Sequence, residues 1–353
     1  MQKQLIAELK LLAGKVDEVI SSSTFPDAVQ PEYLGKVMRY YPAAGGKRLR
    51  PAIMLWSAAA AGGDIEKILP AAASLEVFHN WTLVHDDIID DDDVRRNSPT
   101  AHIVLSQAMA LPESRRKKFG SDMAILAGDL MQSWAFELID QSACSSEVKL
   151  KLARELRDYG YLRLVSGEAL DVEMSYRKVE DISESELYAM QTGKTGALLH
   201  YAARAGWMAG RGTAEAWNDP EAVALGKFGD ALAIAFQLRD DYLGIFGKFE
   251  EFGKPIGSDL QESKATMLLI HALNHLPGAE KAELQALLGR SSYSANDIQK
   301  AQELFYQSGS VEKLLNAIKE FSHAAQAALD VLPESMPREM LKTLSDYLIN
   351  REK

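Results

Sequence analysis

Apolar residues recur at three- and four-residue spacing through almost the whole chain, and the alternating runs that mark strands are missing. That pattern leaves one fold class, all-α. Helices are expected over roughly 2–22, 31–41, 48–62, 65–93, 100–110, 113–141, 146–177, 183–209, 218–247, 260–275, 279–288, 295–307, 311–330 and 335–350. Breaks fall at Pro42 to Gly46, Asn97 to Pro99, Gly247 to Gly257 and Leu276 to Gly278. Several helices are too apolar to lie on a surface, and no Gly-, Ser- or Pro-rich linker is long enough to separate domains. Residues 1–353 therefore read as a single domain, a bundle of long helices.

The net charge of −11 argues against nucleic-acid binding through a general basic surface. Cys144 is the single cysteine, which excludes an intramolecular disulfide and a Cys-rich metal site and fits a reducing, cytoplasmic setting. Residues 1–20 mix charges with Leu and Ile at helical spacing, unlike a signal or transit peptide. No run of about 18 uncharged apolar residues offers a transmembrane segment.

Against this background one stretch is costly. Asp86, Asp87, Asp90, Asp91, Asp92 and Asp93 close the long apolar run Ile68 to Val84. Acids are disfavoured at a helix C-terminus, where the macrodipole is already negative. Asp86 and Asp90, four apart, point from one face of a helix. Two such carboxylates suit Mg²⁺, which takes a few protein oxygens and completes its shell with water and phosphate oxygens. Arg95 and Arg96 follow, the side chain best shaped for phosphate. The plainer alternative is a solvated acidic helix end. A second acidic pair, Asp240-Asp241, closes another apolar helix after Phe236-Gln237; buried there, it needs a cation or hydrogen bonds.

Three basic clusters balance the acids. Lys47 and Arg50 follow Gly45-Gly46 and, three apart, can share a helix face. Gly193 and Gly196 flank Lys194-Thr195 inside a helical pattern, at about 1 kcal/mol each relative to Ala. That suggests a deliberate break, freeing backbone amides and aiming Lys194 and Thr195 at an anion. Lys254, Asp259 and Lys264 lie in and just beyond a Gly-rich loop after the second pair. Each cluster alone reads as a turn with surface lysines. Together, two Mg²⁺-suited acidic ends and dispersed cations fit a site for two diphosphates. Mg²⁺ makes diphosphate a leaving group, and a dry apolar cavity protects the allylic cation so formed until an alkene attacks it.

From Gly45 to Thr266 the chain resembles the all-trans isoprenyl diphosphate synthases of the polyprenyl synthetase family, most closely the short-chain geranylgeranyl diphosphate synthases. Asp86-Asp87-Ile88-Ile89-Asp90 and Asp240-Asp241-Tyr242-Leu243 match the two Asp-rich motifs; Gly45 to Pro51, Glu76 with His79, Arg95-Arg96, Lys194 to Gly196, Phe236-Gln237 and Lys254 to Lys264 match the elements between and after. The resemblance implies the isoprenoid synthase fold, helices around a central apolar cavity, and a homodimer. It implies Mg²⁺-dependent head-to-tail (1′-4) condensation of isopentenyl diphosphate with an allylic diphosphate. Asp86, Asp90 and Asp240 would ligate about three Mg²⁺ ions, supported by Asp87, Asp241 and Gln237. Arg95, Lys194, Thr195, Gln237, Lys254 and Lys264 would hold the allylic diphosphate, and Lys47, Arg50, His79 and Arg96 isopentenyl diphosphate. Gly244 stands where many members carry a third Asp, Glu168 where Gln is commoner, and Asn97 where Gly is usual, though Asn tolerates a left-handed backbone.

Trp81 lies five residues before Asp86, roughly 7.5 Å along a helix, with Phe78 about a turn deeper and Thr82 leaving some room. If Trp81 faces the cavity it sets the floor for the growing chain; otherwise it and Phe78 are core aromatics. A bulky residue at that place resembles makers of the C20 product geranylgeranyl diphosphate, with farnesyl diphosphate or a longer chain as alternatives. A terpene cyclase is disfavoured by Gly244 and Lys248, where a Ser or Thr and a Glu are required. A silent regulatory subunit is disfavoured by the intact Asp86, Asp90, Asp240 and Lys194. An interaction protein would leave the basic spacing unexplained.

Overall fold

A computed structural model describes residues 1–247 and 257–350. The chain is all-α. Its contacts divide it into two compact units: Met1–Arg154 with Arg204–Ala222 and Ser335–Pro337, and Glu155–Ala203 with Val223–Glu334 and Arg338–Lys353.

The first unit is built on helix Ile65–Ile89, started by Asp64, whose side chain accepts from the Glu66 amide. Buried residues surround it, from Ile68 and Ala71 through Leu75 and Phe78 to Val84. It therefore needs neighbours on every side, and Gln2–Ser22, Leu49–Ala60 and Glu113–Gln141 supply them. The first half of the buried face of Glu113–Gln141 is Gly120, Ala124, Ala127, Gly128 and Met131. Its small residues admit large partners: a Cβ on Gly128 would lie 2.2 Å from Nε2 of His85.

The helix stops at Ile89 with Asp90 as its cap, not at residue 93 as expected. Four consecutive Asp against the negative end of the dipole explain the early stop. A strand pair then appears where none was expected, Val94–Arg95 against Ser98–Pro99. Arg96 and Asn97 both take positive φ, 53° and 62°, as a tight two-residue hairpin turn requires.

In the second unit, Leu162–Ser175 packs against residues 192–196, and Met267–His275 against Ser310–Ala328. Capping boxes start Glu184–Gln191 at Ser183 and Ala295–Gln307 at Ser294. The expected break at 191–196 is absent. Thr192–Gly196 is a π-helical turn running on into Ala197–Arg211, so its amides are not released. The glycines answer to packing instead: a Cβ on Gly193 would lie 2.8 Å from the Gly167 Cα. Helix 146–177 is likewise interrupted by a π segment, Leu156–Tyr161, and helix 260–275 divides into Ser258–Gln261 and Met267–His275.

Candidate active site

In the first unit the hairpin turns Arg95 back onto the acidic helix end. Its Nε donates to Asp87 Oδ1 at 2.5 Å and its Nη2 to Asp86 Oδ2 at 3.3 Å. Asp87 is fully buried, and burial is the main cause that raises its pKa. Its other oxygen accepts from the Tyr41 hydroxyl, which in turn accepts from the Ala101 amide at 3.1 Å. Burial, with that carboxylate, holds the Tyr41 phenol protonated, so it is a donor. Asp86 is half-buried and Asp90 exposed.

The glycine loop is held by Arg48, which caps Leu49–Ala60 in a left-handed conformation, φ 48°. Its guanidinium reaches Glu76 at 2.7 Å, Asp17 at 2.8 Å and the Pro42 carbonyl at 2.5 Å. Both Arg48 and Glu76 are buried, and breaking such a pair costs about 3–5 kcal/mol. Lys47 lies before the helix begins at Leu49, so it and Arg50 share no helix face. Arg50 follows inside the helix, its Nε enclosed and without a hydrogen-bond partner among the described residues. His79 is held well below its usual pKa, first by burial and then by Arg50, Arg96, Arg95 and Arg48. Four guanidiniums thus act electrostatically on a neutral imidazole that precedes Asp86 by roughly two turns of the same helix. Tyr40, Tyr41, Arg95 and Arg96 line a cleft with Ala44, Ser98 and Pro99.

The second unit assembles the other cluster. Lys194 Nζ lies 2.7 Å from Asp171 Oδ2 and 2.9 Å from Glu168 Oε2. Asp241 is pushed up to about 7, first by burial and then by Asp259, against the pull of Lys264 and a hydrogen bond from Gln237 Nε2 at 3.2 Å. Lys264 is raised by Asp259, Asp241 and Asp171 against burial. Asp240, in Pro220–Phe246, and Thr195, in Thr192–Gly196, are half-buried. Asp259 fills the place left by the glycine at 244, where a Cβ would lie 3.0 Å from its Oδ2. Lys254, with Lys248, lies outside the described residues.

Trp81 is 5 % exposed, edge-on to Phe78 at 4.9 Å and to His85 at 5.6 Å. The Thr82 hydroxyl donates back to the His79 carbonyl at 2.8 Å. Among the described residues no three acidic, His or Cys side chains gather into a ready-made metal site. The donor chemistry still fits Mg²⁺, for which one or two carboxylates plus phosphate oxygens suffice.

Residues 31–305 match the sequence profile of polyprenyl synthetase. The chain belongs to the polyprenyl synthetase family. It is a prenyltransferase of the prenyl diphosphate synthase type. It is 34% identical to a short chain isoprenyl diphosphate synthase of Methanothermobacter thermautotrophicus, covering 98% of each chain. Its structure is similar to a geranylgeranyl pyrophosphate synthetase from Pyrococcus horikoshii, at TM-score 0.86 and 32% identity over 99% of each chain. A geranylgeranyl pyrophosphate synthase from Corynebacterium glutamicum, solved with isoprenyl diphosphate and magnesium, superposes at TM-score 0.81 and 29% identity, over 98% of this chain and 99% of that one.

Sequence reasoning overlooked Tyr41, which carried no signal beyond an aromatic at the end of an amphipathic helix. It also matched Arg48 and Glu76 to the family's elements without seeing that they pair.

Proposed function

We propose that this synthase joins isopentenyl diphosphate head-to-tail (1′-4) to an allylic diphosphate, with geranylgeranyl diphosphate as main product. The observation that carries the proposal is that His79, on the helix that ends in Asp86 and Asp87, feels Arg50, Arg96, Arg95 and Arg48 together, with Arg95 bonded to both of those carboxylates. Arg48 is balanced by Glu76 and Asp17 and Arg95 by Asp86 and Asp87, so Arg50 and Arg96 supply the positive charge that favours a diphosphate there.

In this reading Lys47, Arg50, His79 and Arg96 hold isopentenyl diphosphate. Arg95, Lys194, Thr195, Gln237, Lys254 and Lys264 hold the allylic diphosphate. Asp86, Asp90 and Asp240 would bind about three Mg²⁺ ions, whose chemistry is to neutralise diphosphate and make it leave. Asp87 and Asp241 support those ligands. Gln237, bonded to Asp241, keeps that carboxylate turned in a fixed direction. The backbone carbonyl of Lys194 and the hydroxyl of Thr195, both oxygen dipoles, would steady the positive charge left on the allylic fragment, and the released diphosphate takes the proton lost after attack. Trp81, with Phe78 and Thr82 around it, sets the floor for the chain. We further propose that the whole chain acts as one domain and pairs as a homodimer, which exposed Ile125 and Leu126 on Glu113–Gln141 support. The single cysteine supports a cytoplasmic location. No helix among the described residues is long and apolar enough to cross a membrane.

The test is incubation of the purified chain with Mg²⁺, labelled isopentenyl diphosphate and dimethylallyl, geranyl or farnesyl diphosphate in turn, with sizing of the products. A C20 product is expected. Asp86→Ala and Asp240→Ala should each lose at least about a hundredfold in turnover while remaining folded. A chain that turns over no starter would instead be a silent subunit, and C15 or longer products would correct the assigned length.

A further inference from the structure

The described residues of the second unit contain two π-helical segments, Leu156–Tyr161 and Thr192–Gly196, and one closed set of side chains links them. His200 Nδ1 donates to Asp230 Oδ2 at 2.9 Å. The His200 ring stacks on Tyr159, in the first π segment, with centroids 4.2 Å apart and planes at 20°. The Arg163 guanidinium lies 4.7 Å from the Tyr159 ring and 3.7 Å from Asp230 Oδ1, which closes the circle. With His200 only 6 % exposed and Asp230 28 %, water screens the set only partly.

The second π segment carries Lys194 and Thr195, and it is pinned on both sides. Near its start, a Cβ on Gly193 would lie 2.9 Å from the Arg163 carbonyl oxygen. Four residues past its end, His200 is wedged against Pro220–Phe246: a Cβ on Gly226 would lie 2.6 Å from its Cε1, and one on Gly229 2.5 Å from its amide nitrogen. Asp230, next along that helix, holds His200 there, and its Oδ1 would lie 3.6 Å from a Cβ on Gly196. A π-turn carries one residue more than an α-turn. Reverting to α would rotate the helix beyond it by about 100° and draw it back about 1.5 Å. While both ends are held, that reversion is blocked.

We propose that Asp230 is a positioning residue: through His200 and Arg163 it keeps Thr192–Gly196 in its π form, and so keeps Lys194 and Thr195 aimed at the allylic diphosphate. The inference rests on the reading that those two residues hold that diphosphate. Asp230 itself touches no substrate. Its carboxylate fixes the helix after the turn, and the turn follows. Loss of that hold lets Ala197–Arg211 shift, and Lys194 then leaves the place from which it meets the phosphate oxygens.

The experiment compares variants with the parent enzyme at saturating Mg²⁺, using geranyl diphosphate as the allylic probe. Asp230→Ala should raise KM for geranyl diphosphate about tenfold and leave KM for isopentenyl diphosphate within about twofold. The residues read as holding the second substrate, Lys47, Arg50, His79 and Arg96, belong to the other unit. Asp230→Asn keeps an oxygen for His200 and should return KM close to the parent's. His200→Phe keeps a ring beside Tyr159 but has no donor, so it should behave as Asp230→Ala does. The double variant should be no worse than either single one, because the pair acts as a unit. Lys194→Ala should itself raise KM for geranyl diphosphate at least about tenfold. Should it leave KM untouched, the underlying reading of the turn fails. Should Lys194→Ala raise KM while Asp230→Ala and His200→Phe, folded by circular dichroism, match the parent or raise both KM values alike, the inference about Asp230 alone is overturned. If Asp230→Ala does not fold, His200→Phe decides by the same split between the two KM values.

Discussion

Gly167 and Gly193 cross so closely that neither can carry a side chain: a Cβ on Gly167 would fall 2.1 Å from the Lys194 amide nitrogen. The atoms met are backbone, so a new methyl group must push the π-turn away from Leu162–Ser175. Overpacking of this kind costs about 1–3 kcal/mol or more. It also withdraws Lys194 from Glu168 and Asp171. Gly167→Ala should therefore lower Tm by several degrees and reduce kcat/KM for the allylic substrate at least about tenfold. Gly14, in helix Gln2–Ser22 with nothing within 4 Å of its would-be Cβ, is the contrast. Gly14→Ala should stabilise by about 0.5–1 kcal/mol and leave kinetics alone. Equal effects at the two sites would mean that the close crossing is not what matters.

Tyr41 ties together three elements by one hydroxyl. It donates to Asp87, whose other oxygen serves Arg95, and accepts from the amide that opens Ala101–Ser106. Tyr41→Phe keeps the ring but leaves a fully buried carboxylate one donor short, at about 1–3 kcal/mol. Asp87 and Arg95 would then relax, and Asp86 with them. The expected result is a lower Tm and a higher Mg²⁺ concentration for half-maximal rate. Thermal melts and a Mg²⁺ titration check it; a variant matching the parent in both would show that the hydroxyl does not hold the motif.

What the sequence disclosed, and what it hid, follows from how far apart partners lie. Helical spacing is local, so the all-α class and most helix positions were readable. The acidic run, too, announces its own cost, yet the helix was carried to residue 93 although the dipole argument already favoured an end at Asp90. Strands of two residues leave no alternation to detect, which hid the Val94–Pro99 pairing. Gly193 looked like a helix breaker because its reason, Gly167, stands 26 positions earlier on another helix. Tyr41 and Asp87 are 46 positions apart, and nothing in either one names the other.

His79 gives a pH prediction of definite sign. Burial and four arginines hold its pKa well below the usual value, so the folded ring stays neutral where an unfolded His takes a proton. The unfolded state binds more protons once pH falls below about 6.5, so stability is lost toward acid at up to about 1.4 kcal/mol per pH unit. His79→Gln should flatten that acid limb in denaturant titrations between about pH 5 and 7. KM for isopentenyl diphosphate should show no imidazole titration above pH 6 in the parent. An unaltered acid limb in the variant would place the His79 pKa near its ordinary value.

Restoring the family's third motif carboxylate should harm this enzyme. At Gly244 even a Cβ would lie 3.0 Å from Asp259 Oδ2, and a carboxylate there would add repulsion next to Asp241, already pushed up to about 7. Gly244→Asp should reduce kcat/KM about tenfold or more, and Gly244→Ala only modestly. Adding Asp259→Gly to Gly244→Asp should recover some of the loss by clearing the space. Activity equal to or above the parent in Gly244→Asp would mean that Asp259 does not occupy the missing carboxylate's place.

Trp81 tests whether a core aromatic also measures the product. Its indole packs against Phe78 and His85, so Trp81→Ala opens a cavity at about 3–5 kcal/mol and lowers Tm whatever its role. Product length separates the roles. If the growing chain runs back along Ile65–Ile89, the space released lies roughly 7.5 Å beyond Asp86, enough for at least one more five-carbon unit. Trp81→Ala should then shift the products beyond C20 on reversed-phase analysis, whereas Trp81→Phe, which keeps an aromatic floor, should shift them less. Phe78→Ala alone should change stability more than length, because Trp81 still stands above it. A Trp81→Ala enzyme that melts earlier yet yields the parent's product would leave Trp81 as a packing residue only, and the chain-length floor would have to be sought on another helix.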